Sequence, residues 1–173
     1  MAEEICAAGG TAEAAQVDAL DEHATEEHVG AVAQKAGAVD VSFNAIGIPQ
    51  QNIQGVPLAE LSAEAFSRPI MTYPVSHFLT ARAAGRRVAD KGSGVILTLT
   101  ATPARLASRS LEAWLRRGRP WRTLTRTLAA ELGPQGVRVV CLRPDAILRP
   151  ARSIGSSVCT PRGWGSSVRR SRR

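Results

Sequence analysis

At 173 residues, with 44% hydrophobic side chains, the chain is long enough for one domain with a core and is not of disordered composition. Its start, MAEEICAAGG, is acidic and lacks the apolar stretch of a secretory signal, and no apolar run approaches the ~20 residues of a membrane span, so a cytoplasmic protein without a membrane partner is expected. The net charge of +7 is concentrated: residues 109–122 hold five arginines and 148–173 seven, against the single acid Glu112, leaving ten bases and fourteen acids elsewhere. Those two stretches also contain all three tryptophans, Trp114, Trp121 and Trp164.

In chain order, the pair Gly9-Gly10 ends a first helix. Ala14–Val17 reads as a short, weak strand, and Asp18 after it is a turn former. Asp21 can cap a helix that carries Val29, Val32, Ala33 and Ala36 on one face and stops at Gly37. Val39–Phe43 (VDVSF) is β-branched and apolar enough for a buried parallel strand. A helical region from about Ser62 to Asp90 follows, with a kink or late start expected at Pro69 and Pro74. Val95–Thr100 (VILTLT) is a third strand, Thr123–Gly133 a helix with a glycine stop, and Val137–Leu142 (VRVVCL) a fourth strand. After Ile147 no sustained period remains, and the Arg, Ser, Gly and Pro composition makes disorder the expected state. Alternating strand and helix periods point to βα units around a parallel sheet. Cys6, Cys141 and Cys159 have neither disulfide-framework nor zinc spacing, His23 and His28 read as solvated helix residues, and no metal is expected.

Four segments in this order resemble the short-chain dehydrogenase/reductase family. They are QVDALDE (Gln16–Glu22), VDVSFNAIGI (Val39–Ile48), GVILTLTATPA (Gly94–Ala104) and LTRTLAAELGPQGVRVVCLRPDAI (Leu124–Ile147); the last is long and the most specific. The resemblance implies a Rossmann-type fold that binds NAD or NADP and transfers hydride to or from a small carbonyl or alcohol substrate. It places cofactor-side residues at Asp18, which would accept from the adenine amino group, and at Asn44, Ala45, Gly47, Thr100 and Pro144. The Asn44-x-x-Gly47 pattern suits that place, since the amide can pin a turn while the glycine lets the backbone pass close to a ribose.

The family pattern is also broken. These 173 residues contain no TGxxxGIG loop, whose glycines and following helix N-terminus hold the pyrophosphate. The family's asparagine, serine, tyrosine and lysine, its proton-transfer group, fall at Tyr73, Ala101, Trp114 and Gly118, and none matches. Pro144-Asp145 replaces the family's Pro-Gly. The expected architecture is an α/β, partial doubly wound parallel sheet lacking its first strands over residues 1–147, with a disordered basic tail over 148–173. The expected function is that of an oxidoreductase fragment without the ancestral activity. Two alternatives stand beside it: a non-catalytic protein whose arginine-rich tail binds nucleic acid, the less favoured partner, and a regulatory pseudoenzyme subunit. A homo-oligomer is compatible with the resemblance. Abrupt composition changes at 109–122 and 148–173, with family spacing kept across the first, read as sequence translated out of the ancestral frame.

Overall fold

The structure, a computed structural model, describes residues 1–49, 51–53, 55–100 and 119–143, the last range without side chains for 119–121. The expected tail, 148–173, lies outside them. The elements are α1 (Ala2–Ala7), α2 (Glu22–Ala36), β1 (Val41–Asn44), α3 (Ala63–Lys91), β2 (Gly94–Leu99), α4 (Arg119–Leu132) and β3 (Val137–Leu142), with a 3-10 turn at Gly133–Gln135 before β3.

Helix α2 has the expected ends. The Asp21 side chain accepts from the Ala24 amide at 3.0 Å, and Gly37 closes the helix in the left-handed region at φ 80°. Helix α3 starts at the expected Ser62, so the alternative of a late start at its prolines is corrected. It begins at Ala63 on a Ser62 cap and runs unbroken through Pro69 and Pro74 to Gly92, although each proline removes one i→i−4 bond. Packing offsets the loss: Ala65, Phe66 and Ile70 from its first half form a small cluster with Ile48, Ile53 and Leu61 of the preceding loop. The second half of α3 lies on the sheet.

The three strands are parallel and ordered β1-β2-β3, with Phe43 opposite Leu97 and Leu97 opposite Val140. Ala14–Val17 is not a strand, which corrects the sequence reading; β1 pairs only with β2, so no ladder reaches that segment. The first sheet strand starts at Val41 rather than Val39, because pairing with β2 begins at Val41 opposite Val95.

One side of the sheet carries the core. Ile96 and Val137 pack with Ala81 and Val88 of α3, and Leu128 and Leu132 of α4 close over them. Val29 and Ala33 of α2 and Val39 complete the cluster. Strands that follow one another in sheet order, joined by right-handed crossovers, place their connecting helices on the same face. Among the described residues nothing covers the opposite face: Val41 is 58% exposed and Phe43 52%, with Val140 and Leu142 exposed beside them. Strand β2, GVILTL, turns Val95, Leu97 and Leu99 to the face away from the core, a pattern that fits a sheet covered on both sides, while the described residues cover one.

Candidate functional site

Parallel strands end together, and ligands of open α/β sheets bind outside those carboxyl ends. Here the shared edge holds Asn44 at the end of β1, Thr100 after β2 and Arg143 after β3. Crevices form where the strand order reverses. Among the described residues the order does not reverse, so the edge is one side of such a crevice.

Asn44 is the best-defined side chain on this edge. It is 6% exposed, and its Nδ2 donates to the Ser76 carbonyl at 3.1 Å and to Thr80 Oγ1 at 2.8 Å. Its Oδ1 accepts from the Ile46 amide at 3.1 Å, pinning the turn as the Asn-x-x-Gly pattern suggests. All these bonds are internal, so the amide joins the end of β1 to the middle of α3. Ala45 and Gly47 follow on the exposed side of this turn. Gly47 has no positive φ, and a Cβ there would meet nothing within 4 Å, so its backbone is open to close approach. Ala45, Val41, Phe43, Val32 and His28 line a cleft of about 260 Å³ along the free side of β1.

Asp18 sits in the turn before α2. Its Oδ1 accepts from the Leu20 amide at 2.9 Å, the side-chain bond of a turn former, and the residue is exposed. Helix α2, which follows Asp18, is joined to β1 by only Gly37–Asp40, and its His28, Val29 and Val32 line the cleft along β1.

Of the catalytic slots, Tyr73 lies in α3 and is half-buried, its carbonyl accepting from Ser76 Oγ at 3.1 Å. Thr100 is half-buried, and its amide donates to the Leu142 carbonyl at 2.8 Å, carrying the ladder one residue past β2. Ala101, Trp114, Gly118 and Pro144 lie outside the described residues.

Sequence reading weighed His23 and His28 but passed over His77, which the fold buries to 2% exposure in α3. Its Nδ1 is 2.8 Å from the Tyr73 carbonyl, and it also hydrogen-bonds the backbone of Leu99 at the end of β2. Burial lowers its pKa below 6.5, against the raising effect of those two backbone contacts, so the ring is neutral at pH 7. A histidine at helical spacing with Ala81, Ala84 and Val88 (i+4, i+7, i+11), all buried, was the available signal. Among the described residues no cluster of three or more His, Cys, Asp or Glu could hold a metal, and no helix is long and apolar enough to cross a membrane.

A dinucleotide fits this edge only in part. The exposed Asp18 carboxylate and the open backbone at Gly47 suit an adenosine, but the N-termini of α2 and α3 do not suit a pyrophosphate. Helix α2 begins on Asp21 and Glu22, and α3 has Glu64 in its first turn, so an incoming anion meets carboxylates at both. Glu22 is paired with Arg82 at 2.6 Å, so that guanidinium is committed to an internal pair.

Residues 1–158 match the family model described as enoyl-(acyl carrier protein) reductase. L-rhamnose 1-dehydrogenase (NAD(P)(+)) of Azotobacter vinelandii is 30% identical over 149 residues, covering 85% of this chain and 56% of that protein. Two solved structures share the fold. NAD+-bound xylitol dehydrogenase superposes with a TM-score of 0.74 at 22% identity, covering 83% of this chain and 54% of that one. Gluconate 5-dehydrogenase from Burkholderia cenocepacia, in complex with NADP and tartrate, gives 0.71 at 21% identity, with 83% and 55% covered. The chain thus spans about half the length of the curated relatives it matches.

Proposed function

Because this chain belongs to the short-chain dehydrogenase/reductase family, we propose that its 173 residues form part of a Rossmann-type oxidoreductase module and do not catalyse hydride transfer by themselves. The ancestral reaction in this reading is alcohol or carbonyl hydride transfer with NAD or NADP. One observation carries it: the residues at the four catalytic slots, Tyr73, Ala101, Trp114 and Gly118, include no serine, lysine or asparagine, and the single tyrosine stands in the asparagine slot. Proton transfer needs a donor within hydrogen-bond reach whose pKa is near the working pH, and neither alanine nor glycine offers one. The carboxylates at the starts of α2 and α3 support weak dinucleotide binding for the same polypeptide.

Asp18, Asn44, Ala45, Gly47, Thr100 and Pro144 are the proposed cofactor-side residues, with Asn44 acting through the turn it pins. The reading includes residues 1–147 as the domain, 148–173 as its tail and a cytoplasmic setting. It also includes a homo-oligomer, which is compatible with the family resemblance. Nucleic-acid binding by the tail rests on composition alone, and no described residue favours it.

Fluorescence titration of the purified 173-residue chain with NADH and NADPH, together with carbonyl reduction assays, tests the proposal. No turnover and no saturation in the micromolar range are expected. Micromolar affinity for either nucleotide, or turnover above background, overturns it.

A further inference from the structure

We draw no further inference here: the strongest candidate, the uncovered apolar face of the sheet around Phe43 and Val140 with the cleft along the free side of β1, carries nothing, because nothing in the structure shows what covers it.

Discussion

Replacing Asn44 by alanine tests the joint between β1 and α3 directly. The substitution removes two bonds donated by Nδ2 and the acceptor of the Ile46 amide. The Ser76 carbonyl is not orphaned, because Thr80 Oγ1 still donates to it at 2.7 Å. The two lost donor bonds are worth about 1 kcal/mol each, and the Ile46 amide left without its acceptor adds about 1 kcal/mol, so Asn44→Ala is expected to cost about 3 kcal/mol. Thr80→Val removes one partner of the same network and is expected to cost about 1 kcal/mol. Since the two residues touch, the double variant should fall short of the sum by about 1 kcal/mol. Urea unfolding followed by far-ultraviolet circular dichroism measures all three. Amide exchange at Ile46, faster in Asn44→Ala, gives a local reading if the unfolding transition broadens. A loss below about 0.5 kcal/mol for Asn44→Ala, or strict additivity, refutes the reasoning.

The His77 pKa is lowered in the fold, so the unfolded chain binds a proton more readily below pH 6.5. Stability should be unaffected by this group above that pH, fall as pH drops through it, and level off below the folded-state pKa; His77→Phe should flatten that part of a urea-midpoint profile, and an unchanged slope counts against the assignment. Gly136 has φ 78°, and an added Cβ would lie 2.0 Å from the Gly92 carbonyl oxygen, whereas Gly37 has φ 80° and open space. Gly37→Ala should cost about 1 kcal/mol for the left-handed backbone, and Gly136→Ala at least about 1 kcal/mol more; equal losses in denaturant titration contradict the geometry. Phe43→Ser should reduce binding of an apolar dye and light scattering on heating while shifting stability by under about 1.5 kcal/mol, because the ring is half-exposed; unchanged dye binding means the face is covered in solution.

Local chemistry was legible and distant pairing was not. Asp21 and Gly37 bracket α2 in the sequence as in the structure, and Val137–Leu142 keeps its bounds as β3, because caps and β-branched runs act within a few residues. The start of β1 depends on which residue faces Val95, some fifty positions later, and no local signal carries that. Ala14–Val17 failed for a related reason, as a strand exists only where another strand accepts its backbone. The prolines of α3 did not delay its start: propensity gave way to the cluster around Ile53. At the site, Asn44 and Gly47 were found by pattern, while His77 escaped because its role comes from burial and from two backbone contacts that only the folded chain brings together.

Helix α3 is a single rod of 29 residues shared between two separate clusters, the loop cluster around Ile53 at its start and the main core around Val88 and Ile96 further along. Such an element can let go in parts. The loop cluster has two buried members, Ile53 and Ala65, and the helix beside it lacks the two bonds that Pro69 and Pro74 cannot make. The first turns of α3 therefore belong to a low-energy opening unit, while the turns from Ala81 onward open only with the sheet. Tyr73 and His77 stand at the seam between the two, where the rod passes from one cooperative unit to the other.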